Sequence, residues 1–151
     1  KRIEQVPVQE GTHVRVNKGY RSWLDLCQPL VRNILVSLLD NETGAVLYHC
    51  TAGKDRTGLV TALLLGLAGV PDDLIAADYA LTSRYNIRST FRAPDPEIHD
   101  WRDYEAVYCP PAVMHESLEH LNQNYGGATG YIREIGVTED QVGRLRSLLL
   151  G

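Results

Sequence analysis

The chain lacks the features that mark several whole classes of protein. It has only three cysteines, Cys27, Cys50 and Cys109, odd in number and far apart. That argues against a disulfide scaffold and makes a reducing compartment the default. It has no surplus of positive charge: 15 basic and 19 acidic residues leave a net charge of −4. Such a balance offers no broad footprint for nucleic acid and no polybasic run for a membrane surface. The apolar run over 59–70 is too short to span a bilayer. No cluster of His, Asp and Glu suggests a metal, and no metal or cofactor is expected. Internal repeats and low-complexity tracts are absent. No signal peptide is visible, and the compartment stays open between cytoplasmic and secreted.

What is present is one domain's worth of core. The 151 residues, 44% of them hydrophobic, read as a single domain over 1–151. Within it the string His49-Cys50-Thr51-Ala52-Gly53-Lys54-Asp55-Arg56-Thr57-Gly58 stands out. The apolar run Ala45-Val46-Leu47-Tyr48 precedes it and Leu59 to Leu67 follows. The pattern predicts a strand over 45–49, a tight loop, and a helix over 57–68.

That arrangement builds an anion cradle with a thiol at its floor. A helix N-terminus leaves backbone N–H groups unpaired, and its dipole favours a dianion or a thiolate. Cys50 is therefore expected to be largely ionised at neutral pH. Arg56 offers a planar fork for two phosphate oxygens, and Lys54 a point charge at the rim. The amides of Thr51, Ala52, Gly53, Lys54, Asp55, Arg56 and Thr57 line the same cradle. Thr57 can donate its hydroxyl to the Cys50 sulfur, and Gly53 and Gly58 allow positive φ and close backbone approach. Together these parts suit nucleophilic phosphoryl transfer through a cysteinyl-phosphate, with Arg56 and the amides holding the charge. Asp55 is the first candidate for the proton donor to the leaving oxygen. Its other reading is structural, orienting Arg56 or Lys54 through a salt bridge. Asp25 is a weaker candidate, and the acid can also be absent from the chain.

The rest of the chain reads mainly as helix. Thr12 to Val16 alternates and suggests a strand. Ser22 and Asp25 resemble a capping box ahead of a stripe from Trp23 through Cys27, Leu30, Val31, Ile34 and Leu35 to Leu38. Pro29 must kink or restart that helix. Asn41 to Gly44 reads as a turn. Gly69 ends the helix after the loop, and Pro71 opens the next. Residues 84–103 are the least regular. They read as a connecting segment or, less simply, as a rim with Arg88 and Arg92 for an extended anionic substrate. Helices are expected near 110–124, 129–135 and 138–150, the last opened by a Thr138–Gln141 capping box. Cys27 belongs on a core stripe; Cys109 is a core thiol or, less simply, a redox partner of Cys50.

The loop string resembles the phosphate loop of cysteine-dependent protein tyrosine phosphatases, in the bacterial tyrosine/dual-specificity branch. Gly69-Val70-Pro71, Ile75, Asp78-Tyr79 and Leu81 are similar to that branch's next helices, and Gly130-Tyr131-Ile132-Arg133 with Gly136-Val137-Thr138 to its C-terminal end. The resemblance implies an α/β fold, a mostly parallel central sheet flanked by helices, with the site at a strand's carboxyl end. It implies Cys50 as nucleophile, Arg56 as phosphate ligand, and functional parts for Lys54 and Asp55. The implied substrate is phosphotyrosine, with phosphoserine/threonine beside it, and the product is inorganic phosphate. Alternatives are a phosphoinositide or inositol-phosphate phosphatase, a phosphate-binding module without turnover, and a rhodanese-like sulfur transferase. Two strands are too few for a stable sheet. A Leu-Arg-Asp-Leu-Gly-Gly-like stretch expected upstream is not seen, so the N-terminal part of the family fold is expected to be missing.

Overall fold

The computed structural model describes residues 13–40, 45–87 and 95–151. Among these, the regular structure is helical: α1 (His13–Leu26), α2 (Gln28–Ser37), α3 (Asp55–Leu67), α4 (Asp72–Ala80), α5 (Thr82–Asn86), α6 (Trp101–Tyr108), α7 (Pro111–Tyr125), α8 (Gly127–Glu134) and α9 (Glu139–Leu150). A short 3₁₀ turn, Leu38–Asp40, follows α2.

The helix α3 is central because it is apolar on nearly every side. Leu59, Val60, Ala62, Leu63, Leu64 and Leu67 are all buried. Fully burying one such leucine contributes about 1.5–3 kcal/mol. The helices α4 and α8 pack against α3, and α7 in turn packs on α8, α4 and α1. Close approach of α4 depends on Gly58. A Cβ there would lie 2.8 Å from the Tyr79 ring, tighter than side chains pack. At the far end of the core Tyr131 is fully buried, and its hydroxyl donates to the Leu24 carbonyl at 2.6 Å. Burial without that partner would cost the hydroxyl its water for nothing.

Three expected elements differ. From His13 the stretch expected as a strand is the first turn of α1. Its alternation is only a few residues long. The i, i+3, i+4 spacing of Tyr20, Trp23 and Leu24, all buried, continues into it. The Ser22–Asp25 pair is accordingly inside α1 rather than at its start. The break falls at Cys27 (φ −105°, ψ 23°), with Pro29 in the first turn of α2, where its missing N–H is not needed. Residues 45–50 form no strand among the described residues, and Val46 and Leu47 are 44% and 87% exposed. A strand's backbone groups need partners across a ladder, and no described segment supplies them. The expected turn at 41–44 lies outside the described residues.

The C-terminal expectations hold. Pro71 caps α4, and α7, α8 and α9 occupy their expected places. The Thr138 and Gln141 side chains and backbones satisfy each other in a capping box at 3.0 and 3.3 Å. An unexpected helix, α6, starts inside the irregular stretch, opened by a reciprocal Asp100–Asp103 box. Cys27 packs against the core, as its stripe position suggested.

Candidate active site

The loop begins where the chain leaves Tyr48, whose hydroxyl shares a 2.9 Å hydrogen bond with Thr61 of α3. His49 Nδ1 lies 2.9 Å from the Cys50 carbonyl. A carbonyl only accepts, so Nδ1 carries the proton in that contact. The turn is made at Gly53, with φ +62°, a region costly for side-chain-bearing residues. Lys54 then serves as the N-cap of α3, and Asp55 is the helix's first residue.

Cys50 is half-buried at the mouth of that helix. Its N–H donates to Thr57 Oγ1 at 2.9 Å. Burial alone would push the thiol up. The Thr57 hydroxyl and the backbone amides of Thr57, Lys54 and Ala52 hydrogen-bond the sulfur and outweigh burial, bringing it down to about 7. These contacts favour the anion because each points a positive dipole end at sulfur. Arg56 is exposed and takes part in no ion pair among the described residues, which leaves its guanidinium able to meet a ligand.

The remaining loop residues are tied to the scaffold. Asn86 of α5 donates to the Ala52 carbonyl at 3.1 Å. That contact links the irregular stretch to the loop. Nearby, the Arg84 and Arg102 guanidinium groups each lie 4.7 Å from the Trp101 ring centre. Arg88 and Arg92 lie outside the described residues.

Lys54 departs from its expected place at the rim. It is only 5% exposed, and its Nζ donates to the Tyr108 carbonyl at 2.7 Å and pairs with Asp55 Oδ1 at 3.1 Å. A buried ammonium needs such partners, since unpaired it would cost several kcal/mol. The same Asp55 oxygen accepts a hydrogen bond from the Tyr20 hydroxyl. Of the two roles weighed for Asp55, this ion pair supplies the contact that orienting Lys54 requires. Asp25 belongs to another neighbourhood: its Oδ1 accepts from the Tyr125 hydroxyl at 2.7 Å and lies 2.8 Å from His120 Nε2.

Sequence reasoning missed Tyr20, Asn86 and Tyr108, and assigned no role to Tyr79. No local signal marks them, because each meets the loop only through folding. Cys109 is a fully buried free thiol whose pKa is pushed up to about 11, chiefly by burial. It is a poor nucleophile at neutral pH for that reason.

Among the described residues no group of three or more His, Cys, Asp or Glu side chains could hold a metal ion. None of the described helices is long and apolar enough to cross a membrane.

A tyrosine phosphatase family model matches residues 2–151. The chain is 34% identical over 146 residues to a tyrosine-protein phosphatase of Nostoc commune, covering 87% of this chain and 48% of that protein. It is 33% identical over 124 residues to the triple specificity protein phosphatase PtpB of Mycobacterium tuberculosis, covering 70% of this chain and 44% of that protein. The chain spans about half the length of these curated relatives. A half-buried cysteine under inward-facing amides, an Arg six positions on, and a match that runs nearly end to end agree: the chain belongs to the tyrosine phosphatase family.

Proposed function

We propose that the protein hydrolyses phosphotyrosine, and phosphoserine or phosphothreonine beside it, through a covalent cysteinyl-phosphate. The observation that carries this reading is the half-buried Cys50 at the N-terminus of α3, its N–H on Thr57 Oγ1 at 2.9 Å and its thiolate favoured by the Thr57 hydroxyl and neighbouring amides despite burial. The thiolate attacks phosphorus, the P–O bond to the tyrosyl oxygen breaks, and that oxygen leaves with a proton. Water then attacks phosphorus, the P–S bond breaks, and inorganic phosphate departs while the thiolate is restored. Arg56 and the amides of Thr51, Ala52, Gly53, Lys54, Asp55, Arg56 and Thr57 hold the three equatorial oxygens. Of the two roles weighed for Asp55, the ion pair with Lys54 and the hydrogen bond from Tyr20 favour the orienting one over that of proton donor. A phosphoinositide substrate has no support: the relatives are named for protein phosphatase activity.

We also infer that residues 45–49 belong to a central, mostly parallel sheet in the α/β sense. The exposed Val46 and Leu47 side chains are what neighbouring strands would cover.

The test is hydrolysis of a phosphotyrosyl peptide with acid-quench trapping of the intermediate. Cys50→Ser should lower turnover by at least about 10⁴-fold and remove the labelled sulfur adduct. Turnover that survives the substitution would overturn the proposal.

A further inference from the structure

Beneath the loop, the Asp55 and Lys54 side chains are tied to two tyrosines that the chemistry above does not use. Tyr20 of α1 donates to Asp55 Oδ1, and its oxygen lies 2.8 Å from the Tyr79 hydroxyl of α4. A carboxylate accepts only, so the Tyr20 proton goes to Asp55 and Tyr79 donates to Tyr20. The two rings meet edge to face, their centres 6.2 Å apart and their planes at 87°. Both tyrosines are buried, at 6% and 4% exposure. On its other side Asp55 Oδ1 holds Lys54 Nζ, which also donates to Tyr108. Lys54's own backbone amide is one of the donors to the Cys50 sulfur.

We propose that Tyr20 is a positioning residue for the nucleophile: its hydroxyl, fed by Tyr79, locks the Asp55–Lys54 pair and so sets the Lys54 amide beneath Cys50. The proposal rests on Cys50 being the nucleophile. Its logic is one of partners. With two fixed donors, Asp55 Oδ1 cannot turn toward the loop's own N–H groups and compete with sulfur for them. With Asp55 fixed, the buried Lys54 side chain has one place to go, which holds the backbone at φ −111°, ψ −74°. Tyr20 and Tyr79 stay neutral donors throughout. Burial first, then the Tyr79 charge and the Asp55 charge, push the Tyr20 hydroxyl well above the ordinary tyrosine value; burial and the Asp55 charge likewise raise Tyr79, against a smaller lowering by its hydrogen bond with Tyr20. Other charged or titratable groups near this cluster include Cys109, which faces Lys54, Asp55 and Tyr79, Tyr104, which faces Tyr79, and Glu105 beyond Cys109. Of the loop's own titratable groups, His49 meets the Cys50 carbonyl, and Arg56 is exposed.

The measurement is the rate of Cys50 alkylation by iodoacetamide against pH, read at the Cys50 peptide by mass spectrometry, beside kcat and KM on an aryl phosphate. Tyr20→Phe keeps the ring and loses only the hydroxyl. It should move the alkylation midpoint up by about half a unit to one unit and lower kcat/KM by about tenfold. In an Asp55→Ala background the same change should matter less than about twofold, because the path through Asp55 is gone. Tyr79→Phe should shift the midpoint in the same direction by a smaller amount. An unshifted midpoint in Tyr20→Phe, or an equal shift in the Asp55→Ala background, would overturn the proposal. Should Tyr20→Phe melt below the assay temperature, Tyr79→Phe decides, and an unshifted midpoint there is equally fatal. Alkylation reads the sulfur whether or not phosphate esters turn over. A parent protein without turnover thus defeats the functional reading and leaves the role of Tyr20 to be decided separately.

Discussion

The chain entering the loop and the helix leaving it are held in different ways. On the outgoing side α3 closes its own backbone hydrogen bonds and buries six apolar side chains. On the incoming side residues 45–50 have no ladder partners among the described residues, and Leu47 is 87% exposed. Cys50 sits at the seam. The groups that bond its sulfur, Thr57, Lys54 and Ala52, lie on the α3 side of Cys50. A helix is locally complete, whereas a strand borrows its stability from neighbours. That asymmetry lets the loop's electrostatics form wherever α3 is seated on α4 and α8.

Substitutions on the two flanks sharpen the contrast. The largest expected effect is Leu63→Ala in α3, at a fully buried position. It should cost about 2–5 kcal/mol in urea denaturation. Gly58→Ala comes next, since its new methyl would press on the Tyr79 ring at 2.8 Å. A loss of about 1–3 kcal/mol is expected, with reduced activity because the ring sits under Asp55 through Tyr20. Thr57→Ala should leave stability nearly unchanged and act on titration. It removes the hydroxyl that bonds sulfur, so the thiol's pKa should rise from about 7 toward its ordinary 9.0. Thiolate exists above the pKa, so alkylation at pH 7 should slow and its midpoint move upward; a midpoint that stays or falls would refute the assignment. The smallest loss of stability from an apolar change belongs to the incoming flank: Leu47→Ser should cost about 1 kcal/mol, because the sheet inferred for residues 45–49 covers this side chain. A loss below about 0.5 kcal/mol would sink that sheet and leave the incoming flank without a packed partner.

The legible parts of the site were those written in contiguous residues. Cys50, Thr57 and the glycine turn at Gly53 stand where the spacing predicts, and the Thr138–Gln141 box opens α9 as expected. The Asp100–Asp103 box has the same form as the Ser22–Asp25 pair, but only eight residues of helix follow it, too few for an apolar stripe to stand out. The 13–16 stretch misled because two valines within a few residues match a strand as well as the first turn of a helix. β propensity at that length is outvoted by a long helical stripe behind it. Lys54 was expected at the rim since lysines are seldom buried, and it is buried because two acceptors from different elements meet its ammonium.

The residue order by itself determined the cradle: a thiol, a guanidinium six residues later, small residues between, and an apolar helix to aim the amides. Those relations span a few residues and follow from backbone geometry. Only the tertiary structure decided what stands beneath the cradle. Tyr20 reaches Asp55 across 35 residues of chain and Tyr79 across 59. Contacts at such separations depend on how α1 and α4 seat against α3, and packing of whole faces, rather than any local pattern, sets that seating.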